Sequence, residues 1–445
     1  MQAKVFDNYV EFLEYSKKHQ EKITNIKYRE GRLLSYNTSS YRCSCPFSFN
    51  TLSPTAFAKE LGIDRYSAFL HFNFDKLKDI TDSSVEVSRW KYGYFGGLIG
   101  LNSKIINNYV GTGEYNKFYD YDINSAYMYQ LTRPIPYKLS NIYLPVEYDR
   151  LTGIDKYGKV YFFEIVIEKV VMGEYYTALG IIKNIYSDFD FLESKNNNTM
   201  IVSEYRLELI NRVYHKNCYK ILKVFEFDAK KFSVYQKILD RYTELKKDNE
   251  TIKKNGLMLY GSLGQIYLKK NNSLRWEGNR LYINTTTSIN WNSKPYIAMY
   301  VADAVALRLF DIIIDNYDNI VSWNTDGLVS TKPLKLPISN KAGLWKCKEF
   351  TGMPILLDEC GKTVIYIDKN EKFYGAKCCY KGLSKIFMYT ILKYSNLKKG
   401  YVSIVQKLKL DPTIQFNKYG RLRVQILREK FKREILTERE IWSFI

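Results

Sequence analysis

Two short segments of this chain place a carboxylate where an apolar run stops. The first is Tyr119-Asp120-Tyr121-Asp122-Ile123-Asn124-Ser125-Ala126-Tyr127, and about 200 residues later comes Ser322-Trp323-Asn324-Thr325-Asp326-Gly327-Leu328-Val329. Lys117-Phe118-Tyr119 has strand composition and Asp122 ends it; Ser125 to Leu131 then has the composition of a helix start with Ser125 as its cap. Ile320 to Trp323 and Leu328 to Thr331 are predicted as two strands joined at Asn324-Thr325-Asp326-Gly327, a hairpin turn with an acid at its tip. Acids brought together from separate strand ends can hold a pair of Mg²⁺ ions for phosphoryl transfer. Asp120 shares the strand face of Asp122 and is a spare ligand of the same kind. Taken singly, a strand-terminal Asp is more often a turn or cap residue that bonds its own backbone.

The elements that must position these acids are spread through 445 residues, enough for two to four domains. No Pro/Gly-rich linker or internal repeat separates them. A helical pattern covers Asn8 to His19, and a polar stretch runs from about 37 to 52. Tyr94-Phe95-Gly96-Gly97 introduces an apolar stretch ending at Gly100, where paired glycines predict a turn or a close backbone approach. Val160 to Ile167 is a strand, followed by a polar insertion around 185 to 200. Helical patterning dominates from Ser203 to about Gly264, with Lys230-Lys231 and Lys246-Lys247 on solvated faces. A basic hairpin-like region spans Tyr267 to Tyr282. An apolar helix, Tyr296 to Leu309, has the look of a membrane span until Asp303, Arg308 and Asp311 are counted. The chain ends in Arg421-Leu422-Arg423 and Arg428-Glu429-Lys430-Phe431-Lys432-Arg433, which suits a backbone-gripping element and a solvated helical face equally.

Charge narrows the partner. Sixty-seven basic against 47 acidic residues give a formal charge of +20, a field that favours a polyanion, with nucleic acid first and a membrane surface as rival. No apolar run reaches the roughly 18 residues of a membrane span, and Met1-Gln2-Ala3-Lys4-Val5-Phe6-Asp7 lacks the order of a signal peptide. The expectation is a cytoplasmic protein with no membrane partner. Forty tyrosines and 24 phenylalanines could stack on bases, although a Tyr- and Lys-biased genome accounts for most of them. Seven cysteines (43, 45, 218, 347, 360, 378, 379) form no C-x-x-C pair and are expected as reduced thiols. With three histidines, none near Cys43-x-Cys45, zinc and a Ser-His or Cys-His nucleophile are both poor fits.

Four motifs carry a family resemblance. Asp122-x-x-Ser125-x-Tyr127 resembles the D-x-x-S-L-Y-P motif A of family-B DNA polymerases, and Thr325-Asp326-Gly327 falls on the T-D-S end of their motif C. Between them, Lys253-Lys254-Asn255-Gly256-Leu257-Met258-Leu259-Tyr260-Gly261-Ser262-Leu263-Gly264 looks like the K-x-x-x-N-S-x-Y-G helix of motif B. Upstream, Tyr94-Phe95-Gly96-Gly97 matches the Y-x-G-G motif of the protein-primed branch, and a long insertion follows motif A where that branch carries its terminal-protein region. The resemblance covers about residues 92 to 390. It departs at Asn324, which replaces the first Asp of motif C, at Met128, which replaces the motif A proline, and in motif B. There one register keeps Lys253, Tyr260 and Gly261 and the other keeps Leu257-Met258-Leu259 and Gly264, so the nucleotide-contacting lysine is Lys253 or Lys254.

The resemblance implies an α+β fold of palm, fingers and thumb with an antiparallel palm sheet and a small mixed N-terminal domain. Its expected parts are an N-terminal domain of unknown role (1–91), the Y-x-G-G linker with motif A (92–134), palm with the terminal-protein-region-like insertion (135–230), fingers with motif B (231–264), a second insertion hairpin (265–290), palm with motif C (291–375), and thumb with the basic tail (376–445). Only about 90 residues precede Tyr94 and no D-x-E occurs among them, which, set beside the family, implies a minimal form without the 3′–5′ exonuclease. Asp122, Asp326 and the carbonyl of Ile123 are implied as ligands of two Mg²⁺, with Mn²⁺ as a substitute. Ile123, Asn124, Ser125, Tyr127, Lys253, Lys254 and Tyr260 are implied to meet the incoming deoxynucleoside triphosphate, Tyr127 excluding a 2′-hydroxyl. Tyr94, Gly96, Gly97 and Thr325 are implied on the primer-template DNA. Lys362 with Tyr366, and Lys372 with Tyr374, compete for the K-x-Y that contacts the primer end. The implied activity is template-directed DNA synthesis, protein-primed from a terminal protein, for a phage or plasmid genome in the host cytoplasm. Two rivals are a non-catalytic DNA-gripping replication protein, which Asn324 supports, and a template-independent nucleotidyltransferase, which a Tyr127 gate opposes.

Overall fold

The computed structural model describes residues 74–106, 114–153, 155–168, 198–215, 218–247, 249–277 and 280–356. It also describes shorter pieces at 24–29, 32–37, 42–44, 54–63, 108–109, 112, 170, 175–177, 180–182, 192, 364–367, 373–374, 414–416 and 422–424. The Asn8–His19 helix, most of the C-terminal basic tail, Lys362 and Lys372 lie outside the described residues.

Two compact units divide the chain, one formed by Met1–Thr51, Tyr267–Asn290 and Gln406–Ile445, the other by Leu52–Ile266 and Trp291–Val405. The first holds an antiparallel sheet of Thr24–Arg29, Arg32–Asn37 and Arg42–Ser44, the hairpin Tyr267–Glu277 with Arg280–Ile289, and the pair Ile414–Phe416 with Leu422–Val424.

The second unit carries both acid segments. In chain order its main elements are α1 (Ser84–Tyr92), β1 (Leu98–Leu101), β2 (Asn116–Ile123), α2 (Ala126–Leu131), β3 (Ile135–Tyr143), β4 (Lys159–Ile167), β5 (Thr199–Ser203), α3 (Glu204–Val213) and β6 (Tyr219–Lys230). Then follow α4 (Ser233–Leu245), α5 (Glu250–Leu263), α6 (Pro295–Asp315), β7 (Ile320–Thr325), β8 (Gly327–Ser330), β9 (Trp345–Leu356), β10 (Val364–Ile367) and β11 (Phe373–Tyr374). A seven-stranded sheet has the order β11-β10-β9-β2-β8-β7-β1, and its registered pairs are antiparallel. A four-stranded sheet has the order β5-β4-β6-β3. The mixed, antiparallel α+β architecture expected from the sequence is present.

Period-two alternation decides what the large sheet does with β2. Tyr121 and Ile123 point to one face, where they join Leu98, Trp323, Leu328 and Trp345 in a core closed by Val305, Ala306, Leu309, Phe310 and Ile313 of α6. Phe118 points to the other face and packs with Val321, Val329, Phe350 and Tyr366. Asp120 and Asp122 therefore continue the Phe118 face beyond its apolar patch. Two buried layers fix the register, because a one-residue slip would exchange the acids for Tyr121 and Ile123.

The helical pattern expected from Ser203 to Gly264 is interrupted by β6. Its run Val224-Phe225-Glu226-Phe227 is buried and lies between β4 and β3. A short continuous apolar run of this kind carries no period that separates strand from helix. Glu226 is tolerated there because Ser140 Oγ (2.8 Å), Tyr143 Oη (3.1 Å) and Tyr161 Oη (3.2 Å) donate to its carboxylate and Lys159 Nζ pairs with it at 3.2 Å. The apolar helix extends to Asp315; among the described residues no helix is long and apolar enough to cross a membrane.

Candidate active site

Pairing of β2 with β8 puts Gly327 opposite Asp122, and the N–H of Ile123 donates to the carbonyl of Asp326 at 2.9 Å. The two acids thus occupy adjoining strand ends. Asp326 sits in a two-residue hairpin turn closed by the Asn324–Gly327 pair. Thr325 within it is left-handed (φ 61), and its hydroxyl donates to Asp326 Oδ1 at 2.8 Å. On the other side, Ser125 is also left-handed (φ 54). Among the described residues these two are the non-glycine positions with positive φ. Each costs on the order of 1–3 kcal/mol of backbone strain; Thr325 adjoins Asp326, and Ser125 follows Asp122 by three residues.

Asn124 holds the bend after β2. Its N–H donates to Leu344 O at 2.8 Å, its carbonyl accepts from Gly343 at 2.7 Å, and its side-chain amide donates to the carbonyl of Asn340. Ser125 does not cap α2, since its hydroxyl makes no cap bond. The left-handed backbone turns that hydroxyl toward Lys246 at the end of α4, whose Nζ donates to Ser125 Oγ at 2.7 Å and to Asn124 Oδ1 at 3.2 Å. Lys246 is therefore half-buried at the acids rather than on a solvated face. Burial and the neighbouring cation Lys346 push its ammonium down to about 8, against the pull of Asp122 and together with Lys247 and Lys253. Lys346 itself lies directly across from Asp122 on β9. The sequence signal for Lys246 was weak, because Lys246-Lys247 has no motif around it.

A pair of tyrosines forms the side wall. Tyr127 of α2 stacks on Tyr260 of α5 with ring centroids 4.3 Å apart and planes at 7°, a pairing worth about 0.5–1.5 kcal/mol beyond its buried area. Burial, and then the charge of Asp326, raise the Tyr127 hydroxyl above its ordinary range. Lys253 stands two turns before Tyr260 on the same helix and is exposed. Lys253, Tyr260 and Gly261 lie on the one helix α5, which also carries Leu257-Met258-Leu259; the side chain of Lys254 lies outside the described residues. Gly256 lets α5 approach α4, because a Cβ there would lie 2.1 Å from the Tyr242 ring.

The Tyr94-Phe95-Gly96-Gly97 turn closes the third side. Gly96 has φ 75, and a Cβ on Gly97 would lie 2.7 Å from Thr325 Cα and 3.0 Å from Tyr127 Oη. The hydroxyl of Tyr260 feels those of both Tyr94 and Tyr127. Asp122, Ile123, Asn124, Ser125, Tyr127, Tyr260, Tyr94, Gly96, Gly97, Thr325 and Asp326 are therefore gathered in one place. Tyr366 is not. Its ring is buried 5.1 Å from Phe118 and 5.1 Å from Phe350, so the expectation that it meets DNA is corrected: apolar packing uses the whole ring. Tyr374 pairs with Tyr366 in the sheet.

No group of three or more His, Cys, Asp or Glu able to hold a metal occurs among the described residues. A site of two carboxylates and a backbone carbonyl still fits Mg²⁺, which takes oxygen ligands and is commonly held by one or two carboxylates plus substrate phosphates.

Acids at adjoining ends of an antiparallel sheet, with Lys246 and the Tyr127–Tyr260 stack beside them, thus make up one site. No family model and no curated protein matches the sequence. Solved structures do, and they are of Phi29 DNA polymerase, in the protein-primed family-B class that the motifs resemble. The ternary complex with primer-template DNA and incoming nucleotide has TM-score 0.55 at 16% identity, covering 76% of this chain and 61% of that one. The post-translocation binary complex has TM-score 0.54 at 14% identity, covering 85% and 80%. The orthorhombic crystal form has TM-score 0.51 at 15% identity, covering 79% and 62%. At these identities the likeness establishes the fold. In the ternary-complex alignment this chain spans less than two thirds of the Phi29 polymerase chain.

Proposed function

We propose that this chain is a template-directed DNA polymerase that joins a deoxynucleoside triphosphate to a primer 3′-hydroxyl. In that reaction the hydroxyl oxygen bonds the α-phosphorus, its proton is lost, and pyrophosphate leaves. The observation that carries this reading is the placement of Asp122 and Asp326 on adjoining strand ends, joined by the Ile123–Asp326 backbone bond, with Lys246 before them and the Tyr127–Tyr260 stack beside them.

Asp122, Asp326 and the carbonyl of Ile123 would hold two Mg²⁺ or Mn²⁺ ions, which when bound lower the pKa of the hydroxyl and neutralise phosphate charge. The chain's own contribution is positioning and charge. Lys246 and Lys253 supply ammonium donors to the triphosphate oxygens. The bend at Asn124 and Ser125 fixes the floor of the triphosphate site. Tyr127, held flat by Tyr260, forms the wall under the sugar and rejects a 2′-hydroxyl by overlap. Tyr94, Gly96, Gly97 and Thr325 would line the path of the primer-template duplex, and Lys372-Phe373-Tyr374 would serve as the K-x-Y that contacts the primer end. Replication of a phage or plasmid genome from a terminal protein is supported by the Y-x-G-G motif and the insertion after motif A.

Primer extension tests the reading. Purified protein with Mg²⁺ and a primed template should add deoxynucleotides in template order and far fewer ribonucleotides. Tight DNA binding without extension would favour the non-catalytic rival, and addition without template would favour the nucleotidyltransferase.

A further inference from the structure

Behind the Tyr94-Phe95-Gly96-Gly97 turn lies a buried ion pair that belongs to none of the four motifs. The side chains of Arg206, on α3, and Asp303, on α6, are 1% and 2% exposed. Arg206 donates to Asp303 Oδ1 from Nε at 2.9 Å and from Nη2 at 2.6 Å, and Ser203 Oγ donates to Oδ2 at 2.7 Å. Nη2 also donates to the carbonyl of Gly96 at 2.9 Å, and the guanidinium carbon sits 4.9 Å from the centre of the Phe95 ring. Burying two charges is a poor route to stability, since desolvation offsets most of their attraction. What the pair supplies, and an apolar pair would not, is an oriented donor on one carbonyl of the turn.

The front of that turn has no slack. Gly97 lies so close that a Cβ would come within 2.7 Å of Thr325 Cα, 2.9 Å of Thr325 Cβ and 3.0 Å of Tyr127 Oη. A shift of the turn must therefore move the residue beside Asp326, the tyrosine under the sugar, or both.

We propose that Arg206, oriented by Asp303, is a positioning residue for sugar selection: it fixes the Gly96-Gly97 turn, and the turn sets the Tyr127 wall. This inference rests on the polymerase reading above. Lysine cannot replace the arginine, because only the planar fork reaches both Asp303 and Gly96.

The test uses the full chain carrying Arg206→Met with Asp303→Leu, which removes both charges and keeps the volume filled, and separately Arg206→Lys. Melting temperature, amide hydrogen exchange of peptides covering residues 92–100, and the ratio of deoxy- to ribonucleotide incorporation are measured, with wild type and Tyr127→Val as references. The expected result is a folded double variant with a melting temperature near wild type, about tenfold faster exchange at the turn and about tenfold weaker discrimination against ribonucleotides. Arg206→Lys should move the same two quantities in the same direction. If both folded variants keep wild-type exchange or wild-type discrimination, the inference is overturned. If wild type does not extend a primer, or Tyr127→Val leaves discrimination unchanged, it is the polymerase or sugar-wall reading that fails, and the exchange measurement still judges the clamp.

Discussion

Lys246 Nζ donates to Ser125 Oγ at 2.7 Å, tying the last turn of α4 to the bend that follows Asp122. The ammonium is half-buried and shares its surroundings with Lys346, Asp122, Lys247 and Lys253.

With the Lys246 ammonium pushed down to about 8, its charge is present below that pH and is lost as pH rises through it. Nucleotide kcat/KM should therefore fall on the alkaline side of about pH 8. Lys246→Arg, whose charge persists, should carry activity to higher pH. For folding the sign is opposite: a lysine depressed in the folded state binds its proton more weakly than in the unfolded chain. Its contribution to stability therefore improves as pH rises from about 8 toward the ordinary lysine range. A pH profile that is the same for wild type and Lys246→Arg would remove Lys246 from the triphosphate site.

Asp122→Asn and Asp326→Asn should each reduce extension to background and leave DNA affinity nearly unchanged, because duplex binding is spread over many Lys and Arg side chains. Extension and filter-binding assays on the same preparations check this. Asn324→Ala should lose about tenfold or less, roughly 1.4 kcal/mol of barrier, since the Asp326 N–H bonds the backbone carbonyl of Asn324 rather than its side chain. A collapse equal to that of Asp326→Asn would make the Asn324 side chain a ligand.

Tyr127→Val removes the ring that stacks on Tyr260 at 4.3 Å and should admit ribonucleotides. Single-nucleotide insertion kinetics for matched deoxy- and ribonucleotides report the ratio, and an unchanged ratio would leave Tyr127 as a packing residue.

Gly97→Ala should lower both activity and thermal stability. The new Cβ meets backbone at Thr325, which cannot yield as a flexible side chain would, and overpacking of this kind costs about 1–3 kcal/mol. Melting curves and primer extension should fall together; an active, fully stable variant would show that the turn has freedom to move.

Residue type and spacing marked Asp122, Asp326 and the two-glycine turn as local events, a strand end, a hairpin tip and a bend without a Cβ, whereas Tyr127 stood out only through the family resemblance. Local signals also located the hairpin Tyr267–Glu277 with Arg280–Ile289 and the long apolar helix. The sequence could not separate strand from helix at Val224-Phe225-Glu226-Phe227, where burial on both faces erases the period. Nor could it choose a motif B register; Tyr260 has a defined neighbour only once α5 packs beside Tyr127. Tyr366 matched a primer-contacting pattern, and tertiary packing put its ring in the core between Phe118 and Phe350. Lys246, Lys346, Arg206 and Asp303 were present in the sequence as ordinary charges. Their environments come from elements far apart in the chain, and burial, pairing and pKa are properties of the assembled surroundings, which local composition does not encode.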